Sequence, residues 1–221
     1  MPVTYEKTDD PRVPALARVN GQETPVWIQA LWEEGPHAEY VRKNGCGHCC
    51  AAMAARLHGV ADIDPAKEYA RCLELWGEPE GIQGHFQSVR GIAKILNSLG
   101  IKAEAVGVPE TEPEDGALRN RIEQALGEGK QVIFWSQPRP GRRDENPFSP
   151  NAHYVMACGY DADGNIVIAN SRSGIQLCKI DTVMATLYYG SDPAAETWGE
   201  GGDHARSAGV VFVGEVRRGA S

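Results

Sequence analysis

The chain contains no stretch of about 18 consecutive apolar residues, so no membrane-spanning helix is expected. Its first ten residues, Met1 to Asp10, hold no basic region followed by an apolar run, the mark of a secretory signal. Together these absences lead to the expectation of a cytoplasmic protein. Positive charge is also in short supply, with 22 Lys and Arg against 30 Asp and Glu and a net charge of -8. Neutralising phosphates needs clustered cations, so neither nucleic acid nor an anionic membrane is an expected partner. No internal repeat, low-complexity tract or shift in composition separates a second domain. The 221 residues, 42% hydrophobic and 24% charged, suffice for one domain with a real core.

Six cysteines, at 46, 49, 50, 72, 158 and 178, are enough for three bridges. Cys49 and Cys50 are adjacent in a helical pattern, Cys72 lies in an apolar stripe and Cys158 in an apolar run. Reduced thiols fit those positions better than a disulfide framework.

Residues 1–25 are polar without a period and read as an N-terminal arm, leaving 26–221 as the domain. Val26 to Trp32 is an apolar run interrupted by Gln29, followed by a polar loop to Gly45. Three helices are then expected: one from Cys46 to Leu57 closed by Gly59, one opened by Asp64-Pro65 and ending near Trp76, and one over His85–Ser98. After Gly100 the period changes. Strands are expected over 101–106, 131–136, 153–160, 165–170, 174–180 and 210–213, with helices opening in the acidic turn 110–115 and at Asp181. The proline- and arginine-rich segment 137–151 cannot be sheet interior. The fold class that results is α+β.

The chemistry begins at Cys46. It opens a helix, where unpaired backbone N–H groups and the positive end of the dipole favour a thiolate, and Gly45 and Gly47 leave the sulfur unshielded. A buried structural cysteine is the plainer reading of such a residue taken alone. A thiolate nucleophile needs an imidazole. Of six histidines, His153 alone opens an apolar strand directly after a loop, where the rim of a cleft would be. The hairpin turn at Asp163-Gly164 returns the chain so that Asn170, an acceptor able to orient that imidazole, comes to the same end of the ladder. Gln29 can offer a side-chain N–H to an oxyanion beside the backbone N–H of Cys46.

These residues, together with Ala52-Met53, Ala152-His153-Tyr154-Val155, Gly159-Tyr160-Asp161 and Gly164-Asn165-Ile166, resemble the double-glycine leader peptidases of bacteriocin exporters, above all their free-standing relatives. The resemblance covers roughly residues 26–190 and implies a papain-like cysteine peptidase: an N-terminal helical half carrying the cysteine against an antiparallel sheet carrying histidine and asparagine. It implies a triad of Cys46, His153 and Asn170 with Gln29 in the oxyanion hole, and a peptide or protein substrate. The chain departs from the family at Gly47-His48-Cys49-Cys50, and has Asn170 where the family usually has aspartate. The helices of 64–98 and the loop 137–151 are expected to border the substrate groove, with Trp76, Trp135 and Arg139 as candidate substrate contacts.

Other readings stay open. Cys46-Gly47-His48-Cys49 is the tetrapeptide of thiol–disulfide oxidoreductases, although a thioredoxin fold needs a buried strand leading into it and residues 39–45 are polar. A non-catalytic binding module on the same fold is the other rival. Asp161, Asp163 and Asn165 match a calcium loop only in part, and the cysteines near 46 have no second ligand pair, so no metal or cofactor is expected.

Overall fold

The computed structural model describes residues 1–33, 35–76, 88–108, 116–137, 145–187 and 209–216. The first 25 residues are not an irregular arm. They form an antiparallel meander of β1 (Thr4–Lys7), β2 (Ala15–Val19) and β3 (Gln22–Val26). Ala15, Ala17, Val19 and Val26 are buried in the same core as the Cys46 helix. Strands of four or five residues, the first with no buried position and the others with only Ala15, Ala17, Val19, Thr24 and Val26 buried, carry too weak an alternation to read from sequence.

A short 3-10 turn, Gln29–Leu31, precedes α1 (Ala38–Asn44), which falls where a polar loop was expected. This seven-residue helix buries only Val41, and a Lys43–Glu39 ion pair at 2.7 Å spans its exposed face. A single buried position gives no helical period. At its end, a Cβ on Gly45 would lie 2.4 Å from the Val41 carbonyl oxygen, so glycine is what lets the next helix start at once. That helix, α2 (Cys46–Leu57), is buried at every residue except Arg56. Its alanines, cysteines and glycine allow close approach on all sides. Gly59, at φ +87°, supplies the left-handed residue that ends it.

Next come α3 (Pro65–Trp76) and α4 (Val89–Ser98), the latter capped by Ser88 accepting from the Gly91 N–H at 2.9 Å. The expected start of α4 at His85 lies outside the described residues. The remaining elements are β4 (Ile101–Gly107), α5 (Ala117–Gly127), β5 (Gln131–Ser136), β6 (His153–Tyr160), β7 (Ile166–Asn170), β8 (Gly174–Cys178), α6 (Ile180–Leu187) and β9 (Gly209–Val216). They build a six-stranded antiparallel sheet in the order β4-β9-β5-β6-β7-β8. One face packs on α2, α4 and the meander, with α3 joining the same core through α2 and α4, and the other face packs on α5 and α6. β5, β6, β7 and β9 are covered on both faces, which is why they read as unbroken apolar runs. The expected α+β layout, a helical half carrying Cys46 against an antiparallel sheet carrying His153 and Asn170, is the observed one. Among the described residues, no helix is long and apolar enough to cross a membrane.

One irregularity decides the site. β6 and β7 pair as Tyr160 with Ile166 and Gly159 with Val167, then, after a bulge, as Ala157 with Ile168 and Met156 with Ala169. The extra residue is Cys158. Continued one step, the shifted register sets Asn170 opposite Val155, on the face that His153 shares. Without the bulge Asn170 would face Met156, and His153 would point to the other side. Gly159, at φ +138°, makes the bulge possible.

Candidate active site

The four expected residues converge where β6 begins and β7 ends. His153 Nε2 donates to Asn170 Oδ1 at 2.9 Å, with both side chains buried. The direction of that bond follows from the rest of the Asn170 amide. Its Nδ2 donates to the Phe148 carbonyl at 2.9 Å and to Gln176 Oε1 at 2.7 Å, while Oδ1 also accepts the Arg172 N–H at 2.9 Å. An amide with both hydrogens spent on acceptors presents only oxygen to the imidazole, so Nε2 carries the proton and Nδ1 keeps a lone pair.

Cys46 stands at the first position of α2. Its sulfur accepts hydrogen bonds from the backbone N–H groups of Tyr154, Gly47 and Cys46 itself. The Tyr154 contact sets the sulfur against the peptide that follows His153, in the space beyond the end of β7. Gln29 reaches the same corner. Its backbone N–H donates to Ser171 O at 2.8 Å, and its Nε2 donates to the Arg42 carbonyl at 3.2 Å, anchoring the amide four residues before Cys46. One hydrogen of that amide is left to point elsewhere.

The protonation states differ from the thiolate expected of a helix N-terminus. Burial pushes the Cys46 thiol up, with the three N–H groups pulling the other way. Burial pulls His153 down to about 4, opposed by the Asn170 bond and helped by the Arg172 charge. Cys46 is 9% and His153 7% exposed, and in so dry a place the neutral pair is the resting form. A neutral imidazole with a free Nδ1 lone pair can take a thiol proton as the sulfur attacks.

Of the candidate substrate contacts, Trp135 lies beside the site, its ring 4.5 Å from that of Tyr154 at a tilt of 56°. Trp76 is the last residue of α3 and 40% exposed. Arg139 lies outside the described residues, as does most of the loop before Glu145. The oxidoreductase reading lacks its fold, since helix α1 and not a strand leads into Cys46.

Two groups escaped the sequence. Gln176 on β8 holds Asn170, and nothing but an alternating position in a short strand hinted at it. Glu68, 1% exposed on α3, accepts from His48 Nδ1 and, at 3.6 Å, from the Cys72 thiol. The donor atoms of these three lie within 4.8 Å of one another, and the carboxylate spends both oxygens on the other two. Nothing in the spacing of Glu68, next to Tyr69 in the helix pattern, marks it as buried.

No family model and no curated protein matches the chain. Among solved structures, a crystal structure from Bacillus anthracis provisionally described as a C39-like peptidase matches over 78% of this chain and 90% of its own, with 13% identity and a TM-score of 0.46. A likeness of that size fixes neither family nor activity.

Proposed function

We propose that the protein is a cysteine peptidase that hydrolyses peptide or other amide bonds through Cys46, His153 and Asn170, with Gln29 in the oxyanion hole. The observation that carries the reading is the His153–Asn170 contact: Asn170 Oδ1 accepts the Nε2–H hydrogen bond, which leaves Nδ1 as a base beside the peptide that contacts the Cys46 sulfur. The thiol proton passes to Nδ1 as the sulfur bonds to the substrate carbonyl carbon. The oxyanion so formed is received by the Gln29 amide and the N–H groups at the start of α2. His153 then protonates the leaving amine, the C–N bond breaks, and a thioester remains on Cys46. Water, deprotonated by the same imidazole, attacks the thioester and returns the thiol.

The test is a peptide-library digest with mass spectrometry, run beside Cys46→Ala and Cys46→Ser. Cleavage by the wild type, its loss in both variants and a Cys46 acyl adduct are expected. Equal cleavage by Cys46→Ala would end the proposal.

A further inference from the structure

Asn170 is held by four groups, and only one of them is a side chain outside the proposed triad. The Phe148 carbonyl and the Arg172 N–H belong to the backbone. The fourth is Gln176. Its Oε1 accepts from Asn170 Nδ2 at 2.7 Å, and its own amide is turned the right way because Nε2 donates to the Pro147 carbonyl at 3.0 Å. Two side-chain amides thus bind two consecutive carbonyls, Pro147 and Phe148, in parallel. The sheet register arranges this. Gln176 pairs with Ile168 while Asn170 pairs with Gly174, so Asn170 and Gln176 are diagonal neighbours on one face of the β7–β8 ladder.

We infer that Gln176 is a positioning residue for the same reaction, holding the Asn170 amide so that it can present only its oxygen to His153. This rests on the triad proposed above and adds to it. Without an acceptor at position 176, one Asn170 N–H loses its partner. The rotated amide, with NH2 toward His153, then competes better. Facing NH2, the imidazole shifts its proton to Nδ1 and can no longer accept from Cys46. The Phe148 carbonyl and the Arg172 N–H still favour the working orientation, so the effect is partial. One lost hydrogen bond of typical worth corresponds to about a tenfold loss of His153-assisted reactivity.

The probe is iodoacetamide, with carboxamidomethylation of Cys46 followed by mass spectrometry from pH 3.5 to 8 in the full-length chain, and thermal melts as a control on folding. Wild type is expected to show a component that rises with an inflection near pH 4, where His153 loses its proton, and that is absent in His153→Ala. In Gln176→Leu that component should fall about tenfold with the melt little changed. Gln176→Glu keeps an acceptor toward Asn170, and at this half-buried position its second oxygen can turn to water. It should recover most of the reactivity and, as a carboxylate near the imidazole, move the inflection to higher pH. A residue that merely braces β8 would produce neither the recovery nor the shift. Gln176→Leu with the amplitude and inflection of wild type overturns the inference while leaving the triad standing. Absence of any His153-dependent component in wild type removes both.

Discussion

His153 meets Asn170 at 2.9 Å because β6 carries one residue more than β7 between that contact and the hairpin turn. The pairing is therefore a property of the bulge as much as of the two side chains. It settles the tautomer, leaves Nδ1 with the lone pair, and the Cys46 sulfur lies beside the next peptide. The dryness that strengthens these contacts also keeps thiol and imidazole neutral.

A neutral resting pair has a definite pH signature. In the proposed reaction His153 must be unprotonated, and its pKa is drawn down to about 4, so kcat/KM should lose activity on the acid side near pH 4 and not near 6.5. The Arg172 charge is one cause of that depression, so Arg172→Gln should move the acid limb upward. Its backbone N–H still reaches Asn170. Because Arg172 is exposed, the move should be less than about half a pH unit and should vanish in high salt. A limb at 6.5 in wild type would mean that the imidazole is wetter than its burial implies.

The same depression links pH to stability. A histidine whose folded pKa lies below its unfolded value of 6.5 binds fewer protons when folded, so its stabilising contribution is complete above 6.5. That contribution falls as pH drops from 6.5 toward 4. The amount at stake is on the order of 3 kcal/mol. His58, also drawn down by burial against its Gln131 bond, adds in the same direction. Urea midpoints should accordingly fall between pH 6.5 and 4, and fall less in His153→Gln; an identical fall in that variant would assign the effect elsewhere.

The long elements were legible because their periods were long: α2, α3, the α5 stripe and the doubly covered strands all lie where apolar spacing put them. That Cys46, His153, Asn170 and Gln29 would gather at one corner was legible because the proposed nucleophile, base, orienter and oxyanion donor each call for a particular residue type at a particular kind of place. What escaped was short or context-bound. The meander buries only a few small residues, α1 buries one valine, and neither Glu68 nor Gln176 differs in sequence from a solvated polar residue. The hairpin puts both residues at one end of the ladder, and it takes the bulge to bring them to one face; a one-residue bulge leaves no mark beyond an ordinary Cys-Gly pair.

Gln29 can be separated from the rest by the choice of reaction. Hydrolysis builds negative charge on a carbonyl oxygen, whereas alkylation by iodoacetamide displaces iodide and builds none there. Gln29→Ala should therefore lower kcat by about 10²- to 10³-fold, the usual cost of one oxyanion donor. It should leave the Cys46 alkylation rate nearly as it was. If both rates fall together, the amide anchored on Arg42 serves to hold the α1–α2 junction and not the oxyanion.

The bulge itself can be tested at Gly159. Its φ of +138° is one that side chains rarely adopt, and an added Cβ would lie 2.8 Å from Val3 Cγ2, a residue whose N–H is tied to the Tyr160 carbonyl at 2.7 Å. Gly159→Ala must either push the N-terminal strand away or relax the bulge toward a regular ladder. The first route costs stability, about 1–3 kcal/mol, without touching the site. The second shifts the register by one and turns His153 away from Asn170, so the His153-dependent alkylation of Cys46 disappears even under conditions where the variant is folded. Measuring that alkylation alongside the urea midpoint distinguishes the routes. Unchanged values for both would mean that the extra residue at Cys158 is held by something other than the glycine beside it.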